Sequence, residues 1–456
     1  MTLYQKNNSN NNKLHFPFIT NKKSRDDFSN LLYSALNKIK NNKFIHAKAD
    51  LEKLLCLDNN SIDVNYNMGV VLYKLNKTEQ ALNSFNKVIS LKSNHFLSYF
   101  SIGCIYKDLN NYTDSFKYFF KTLLYKNTFA PAYNNIGLLY LEVGHIASAI
   151  DYFKKTIIHD KNNLEAYLNL NYCYFTAGNI EKAISGYENV IVKKSDPFLW
   201  LSNYLLLCNY SLNYNDYELL NKHKKYGKLL SHNKKKFHVK PKKIDKINKK
   251  IRVGYISPDF KNHSVATFFK PLLRSHNKNK FEIYCYYNNR IIDNNTKYIM
   301  NYSDKWRNIL NLNDIEIART IYSDKIDILV DLAGHTKDNS LGAIVYKPAP
   351  IQVSWLGYAN TTGIKEIDYR LVDDNTDPVG SSDKLATEKL LRIPDSFLCY
   401  EGPNIENKKL PVLKNKYFTY GSLNALTRTS LHVLDVWREI LESVPYSKII
   451  LKSPFF

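Results

Sequence analysis

Three short stretches carry residue types able to handle a proton or an anion, and each directly follows an apolar run. After IRVGYIS (251–257) comes a turn over Ser257 to Asn262, then His263 at the entrance of a helix expected to start near Ser264. After DILVDLA (327–333) come Gly334, His335 and Thr336, and at the end of IQVSWLG (351–357) stands the corner Leu356, Gly357, Tyr358. The unpaired N–H groups of a helix's first turn receive anions, an imidazole exchanges a proton near neutrality, and glycine lets backbone approach a ligand. A lone histidine is more often structural than catalytic; two on one sheet edge narrow that difference. Asp373, Asp374 and Asp377 have a spacing open to a metal site for a sugar nucleotide. It also suits a turn whose carboxylates cap the next element, and the cap is preferred.

The elements that must position these residues are short β-rich runs. Besides the three above they are FEIYCYY (281–287), YRLVDD (369–374) and KIILKS (448–453), with helical spacing between several of them. Continuous apolar runs separated by helices indicate a mostly parallel sheet covered on both faces. Ligands of such sheets sit at the carboxyl ends of the strands, which is where His263, His335 and the Leu356–Gly357 corner fall.

The front half repeats. Gly69, Gly103, Gly137 and Asn171 are spaced by 34 residues, with Ala81, Ser115, Ala149 and Ala183 following twelve later and Phe85, Phe119, Phe153 and Tyr187 four further on. A small residue lets two helices approach and an aromatic plugs the gap beside them, a pattern that resembles the tetratricopeptide repeat. Repeats are expected over 62–95, 96–129, 130–163 and 164–197, with a weaker copy over 28–61. Stacked repeats create a concave face suited to extended peptide or protein. Asn65, Asn67, Tyr99, Asn134, Asn135, Asn169 and Asn171 are assigned to its first helices, where amides hydrogen-bond a peptide backbone; general asparagine richness explains them equally well. Residues 198–231 read as helices sealing the array, and the lysine-rich stretch to 250 as a solvated linker.

At 456 residues, two or three domains are expected. The expected division is a low-complexity start (1–27), an α-solenoid with its capping helices (28–231), a basic linker (232–250), an α/β domain (251–410) and a further segment (411–456). A net charge of +22 raises nucleic acid as a partner, but lysine and asparagine are abundant throughout and arginine is scarce. Nucleic-acid binding is therefore disfavoured. The six cysteines lie far apart, without metal or disulfide spacing. With no apolar run approaching about 18 residues and no signal-peptide core, a cytoplasmic location without a membrane partner is expected.

In this order, the repeats followed by RVGYISPDFKNHSV, DILVDLAGHT, KPAPIQVSWLGYANTTG, DYRLVDD, EKLLRIPDSFLCY and YGSLNALTR resemble the glycosyltransferase family 41 proteins, the protein O-GlcNAc transferases and Spindly-type O-fucosyltransferases. The resemblance covers nearly everything from residue 28 to the end, with wording nearer the Spindly branch. It implies an α-solenoid presenting protein substrates, then a Rossmann-like GT-B first lobe and the start of a second lobe cut short at Phe456. It further implies inverting transfer of a sugar to Ser or Thr from a nucleotide donor, without metal. UDP-GlcNAc is the first expectation for the donor and GDP-fucose the alternative; a non-catalytic binding scaffold is the competing reading. By the same resemblance His263 handles the proton or touches the acceptor, and Leu356 and Gly357 lie beside the donor sugar. Asn424 matches an asparagine of the family's FNNLAK stretch, and Arg428 stands where that stretch has a lysine meeting the diphosphate. His335 is placed with the donor-binding set.

Overall fold

In a computed structural model, residues 27–191, 198–232, 234–237, 250–402, 409–424 and 429–452 are described. They divide into two compact units, one ending at Asn179 and the other starting at Ile180. Among them no helix is long and apolar enough to cross a membrane.

The first unit is built of helical hairpins: α1 (Asp27–Lys40) with α2 (Phe44–Leu57), α3 (Ile62–Lys74) with α4 (Thr78–Leu91), α5 (Phe96–Asp108) with α6 (Tyr112–Tyr125), and α7 (Ala130–Glu142) with α8 (Ile146–His159), followed by α9 (Leu164–Thr176). The glycine-to-phenylalanine spacing has a direct cause. A Cβ on Gly69, Gly103 or Gly137 would lie 2.7 Å from the ring of Phe85, Phe119 or Phe153, and each of those rings is fully buried. The tight turn inside each hairpin adds a second period of 34 that the sequence reading did not use. Asn42, Asn76, Asn110, Gly144 and Gly178 all adopt positive φ, a conformation open chiefly to glycine and asparagine.

The second unit opens with α10 (Ile180–Ile191), α11 (Phe198–Cys208) and α12 (Asp216–Ser231). Its sheet comprises β1 (Ile251–Ser257), β2 (Phe281–Tyr287), β3 (Lys305–Asn308), β4 (Ile328–Asp331), β5 (Ile351–Ser354), β6 (Tyr369–Val372) and β7 (Lys389–Arg392). The order is β3-β2-β1-β4-β5-β6-β7 and every pairing is parallel. Helices α13 (Ser264–Ser275), α14 (Asn294–Tyr302), α15 (Asp314–Ser323) and α16 (Leu341–Ile344) lie between the first five strands. One core, including Val253, Tyr255, Phe269, Cys285, Val330 and Trp355, joins β1, β2, β4 and β5 to α13. The two strands missing from the expectation within this sheet, KWRN and KLLR, are its edges, where a strand need not be apolar on both faces. After α17 (Pro411–Asn415), β8 (Thr419–Ser422) and β9 (Lys448–Leu451) pair in parallel around α18 (Leu431–Ser443) as a separate two-stranded sheet.

The capping helices depart from the expected boundary, because α11 and α12 fall in the unit of the sheet. The reason is a close contact: a Cβ on Gly227 of α12 would lie 1.9 Å from the carbonyl oxygen of Gly363. Backbone therefore meets backbone where the NTTG stretch passes under the helix.

Candidate functional site

The sheet order reverses between β1 and β4, so the crevice beyond their carboxyl ends is the place such folds bind ligands. The loop after β1 delivers Asp259 and His263 there, and the loop after β4 delivers Lys337 and Asp338. Asn288, just past β2, ties the second loop down by donating to the carbonyl of Asp338 at 3.0 Å. His263 is the N-cap of α13, largely exposed, with its Nδ1 accepting from Val265 N at 3.3 Å. An Nδ1 used as acceptor carries no proton, so the neutral ring holds its proton on Nε2. Asp259 Oδ2 lies 3.8 Å from the same Nδ1. Burial pushes the Asp259 carboxyl up, and His263, Lys261 and Lys337 offset part of that rise. Sequence reasoning found His263 but passed over Asp259, Lys337 and Asp338, although all flank the stretches it singled out.

His335 is in a different setting, which corrects its assignment to the donor. It is fully buried and both ring nitrogens are occupied: Nε2 donates to the Thr362 carbonyl at 2.9 Å and Nδ1 accepts from Ser202 Oγ at 3.0 Å. Asn339 Nδ2 donates to the same Ser202 oxygen at 3.0 Å, which completes the chain. A second buried histidine, His223 of α12, lies beside it with ring centroids 5.3 Å apart. His223 Nδ1 donates to the Leu219 carbonyl at 2.6 Å, while Nε2 accepts from the Tyr358 hydroxyl at 2.6 Å. Burial holds both rings neutral, lowering His223 to about 4 and His335 to about 3. The GHT histidine thus joins α11 and α12 to the sheet, and no lone pair remains for a ligand. Nothing in the polar sequence around His223 marks that residue as its partner.

The Leu356–Gly357 corner combines strain with tight packing. Leu356 has φ of 74°, a costly backbone conformation for a γ-branched residue, and such strain concentrates at functional loops. A Cβ on Gly357 would sit 2.0 Å from the Leu332 carbonyl oxygen. Glycine is therefore required there by the end of β4, a packing reason that stands beside the expected place next to the donor. The neighbouring turn is fixed by Asp331, which accepts from Gly334 N at 2.7 Å and Ala333 N at 3.3 Å. The Asp331 carboxyl is fully buried and raised to about 6. Thr361 Oγ1 and the Thr362 backbone N–H donate to buried Glu388 at 2.6 and 2.8 Å, anchoring the rest of NTTG. Asp373 caps a turn, with Oδ1 accepting from Thr376 N at 2.8 Å and Oδ2 from Phe397 N at 3.0 Å. Asp374 and Asp377 pair with Arg392 and Arg370.

Of the remaining expected residues, Asn424 is exposed two positions past β8, and Arg428 lies outside the described residues. The repeat asparagines Asn67, Asn134, Asn135 and Asn169 are all buried. Asn135 accepts from Lys107 Nζ at 2.6 Å and donates to the Pro131 carbonyl at 2.9 Å. Asn67 donates to the Asp63 carbonyl, and Asn169 donates to Asn134 Oδ1 at 3.5 Å. These bonds tie α5 to α7 and α7 to α9, a correction to their reading as an open peptide-binding row. Only Asn67 Oδ1 and Asn169 Oδ1, among these four residues, are buried without a partner.

The sequence of this chain matches the profile of glycosyl transferase family 41 over residues 222–408 and that of a tetratricopeptide repeat over 62–95, 97–121 and 130–157. It is 40% identical over 216 residues to a protein of Arabidopsis thaliana named as a probable UDP-N-acetylglucosamine–peptide N-acetylglucosaminyltransferase SPINDLY, covering 45% of this chain and 23% of the relative. The rice protein of the same name is 36% identical over 266 residues, covering 56% of this chain and 28% of that one. This chain therefore spans about a quarter of the length of these relatives. The solved structure of an O-GlcNAc transferase variant from Thermobaculum terrenum superimposes with a TM-score of 0.70 at 26% identity, covering 78% of this chain and 68% of that one.

Proposed function

We propose that this chain, a family 41 glycosyltransferase region behind tetratricopeptide repeats, serves inverting transfer of GlcNAc from UDP-GlcNAc to Ser or Thr hydroxyls of proteins. The observation that carries this reading is the crevice at the reversal of the sheet, where His263 caps α13 beside Asp259, Lys261 and Lys337. The departing nucleoside diphosphate needs positive charge and fixed donors around it. The amino end of α13, the Nε2–H of His263 and the two lysines supply that chemistry without a metal. The acceptor hydroxyl needs a route for its proton only late in the reaction. Asp259, raised by burial, is the nearby carboxylate able to receive it, directly or through water. The repeats present the protein acceptor.

A second donor, GDP-fucose, is kept as the alternative because the matched relatives carry the Spindly name. Isothermal titration of the chain with UDP, UDP-GlcNAc, GDP and GDP-fucose separates the two. The expected result is heat with UDP and UDP-GlcNAc alone; heat with the guanine pair alone reassigns the donor. Heat with none of the four overturns the enzymatic reading and leaves a binding scaffold.

A further inference from the structure

The hairpins of the first unit share one core plan, so each is a control for the others. Positions 38 and 50 hold Lys38 and Asp50, an ion pair at 2.5 Å. The equivalent positions, 34 residues further at each step, hold Leu72 with Ser84, Tyr106 with Tyr118, and Tyr140 with Tyr152. The two tyrosine pairs have ring centroids 5.5 and 5.4 Å apart. A second set of positions behaves alike: Asn65 with Leu91 in one hairpin becomes stacked Tyr99 with Tyr125, and then stacked Tyr133 with His159. The fold is satisfied by an ion pair or by Leu and Ser at these places, so the aromatic rows are specific to two adjacent hairpins.

Phe116 and Phe120 of α6 join the rows, lying 4.8 Å from Tyr140 and 6.3 Å from Tyr152. Lysines cover the rings: Lys121 Nζ is 5.6 Å from the centroids of both Tyr99 and Tyr118, and Lys155 Nζ is 4.6 Å from that of Tyr152. The helix faces carrying these lysines also leave Phe120, Leu124 and Ile158 exposed at 42, 76 and 69%. Together α6 and α8 carry four lysines against two aspartates and no arginine. A lysine resting on an aromatic ring is partly desolvated already, which favours its pairing with an incoming carboxylate.

We propose that this face of α6 and α8 is a docking surface for an acidic protein segment bearing large apolar side chains, with carboxylates meeting Lys117, Lys121 and Lys155 and apolar groups covering Phe120, Leu124 and Ile158. The surface belongs to the first unit, and the proposal does not depend on the donor. Charge argues against a second copy, since the same lysines would meet across a two-fold axis in a chain of net charge +22. Ring arrangement argues against single-stranded nucleic acid: base stacking needs open ring faces, whereas these rings face one another or an ammonium group.

The test is fluorescence anisotropy of the full chain with a labelled peptide of repeated Glu-Glu-Leu-Phe blocks. Wild type is expected to bind it in a salt-dependent way, and to bind the Gln-for-Glu peptide at least about tenfold more weakly. The triple variant Lys117→Glu, Lys121→Glu, Lys155→Glu loses about tenfold or more, Phe120→Ser loses affinity independently, and the control Lys53→Glu, Lys92→Glu keeps it. All are surface changes whose folding circular dichroism checks. Equal binding by the triple variant and the control overturns the proposal, as does absence of binding by wild type. So does tighter binding of oligouridylate, of phosphatidylserine vesicles, or of a second copy in sedimentation.

Discussion

The Tyr358 hydroxyl donates to His223 Nε2 at 2.6 Å and accepts from Asn209 Nδ2 at 2.6 Å, so the loop after β5 is fastened to α12, 135 residues earlier, and to the end of α11. The fastening is internal to the protein rather than to a ligand. Tyr358→Phe keeps the ring, which packs 5.0 Å from His335, and removes only the hydroxyl. Buried His223 Nε2 then loses its partner, while exposed Asn209 Nδ2 keeps the Leu205 carbonyl at 3.2 Å. The expected loss is about 1–3 kcal/mol, read as a lower urea midpoint. An unchanged midpoint would show that water replaces the hydroxyl.

The same junction sets a pH dependence. His223 and His335 are lowered to about 4 and about 3 in the folded state, against 6.5 for the unfolded chain. The unfolded chain therefore binds more protons between these values, and stability that is complete above pH 6.5 is lost as pH falls toward 4. Asp331 acts in the opposite sense. Raised to about 6 from 3.8, it makes the folded state the better proton binder, so its share declines as pH rises between those values. The two histidines outweigh one carboxyl, and the urea midpoint is expected to drop between about pH 6.5 and pH 4. The double variant His223→Gln, His335→Gln retains donors and acceptors but does not titrate. Its profile is expected to flatten or reverse.

Much of this was legible in the sequence, for identifiable reasons. The helical hairpins follow from Gly69 with Phe85 and their counterparts, because each pair is one close contact repeated. The interior strands follow from unbroken apolar runs, since both faces of a central parallel strand are covered. The edge strands Lys305–Asn308 and Lys389–Arg392 gave no such signal. His335 lies at the expected sheet edge, but its two ring nitrogens bond inside the protein, and Gly357 is required there by packing alone. A strand end that meets a helix has the same residue types as one that meets a ligand, and the distinction lies in helix α12, whose contact through Gly227 no local pattern announces. The buried repeat asparagines show the same limit: position on a first helix was readable, and the neighbouring helix that covers it was not.

The Gly227 contact makes a sharp comparison. Gly227→Ala sets a methyl against the Gly363 carbonyl at 1.9 Å, and Gly363 has no room to retreat: it has φ of 74°, and a Cβ added there would lie 2.0 Å from the His223 carbonyl oxygen. Neither side is a flexible side-chain end, so backbone must move. A loss of about 2–4 kcal/mol is expected. Gly421→Ala in β8 meets nothing within 4 Å and is expected to stay within about 0.5 kcal/mol of wild type. Thermal unfolding of the pair, followed by circular dichroism, tests the docking of α12 directly.

His263 has two jobs that one substitution confounds and two separate. As N-cap it accepts from Val265 N, and in the proposed reaction it offers Nε2–H. Asparagine is a good N-cap but has no imidazole, and alanine supplies neither. His263→Ala is therefore expected to lose about 1 kcal/mol of stability, whereas His263→Asn stays close to wild type. If the imidazole contacts the nucleotide, both variants lose affinity for UDP by a similar factor in calorimetry despite their different stabilities. If its only work is to cap α13, affinity follows stability, and His263→Asn binds as wild type does. Nitrogen-15 spectra of the neutral wild-type ring supply an independent check: the proton is expected on Nε2, and a ring protonated on Nδ1 would remove the donor on which the proposed role depends.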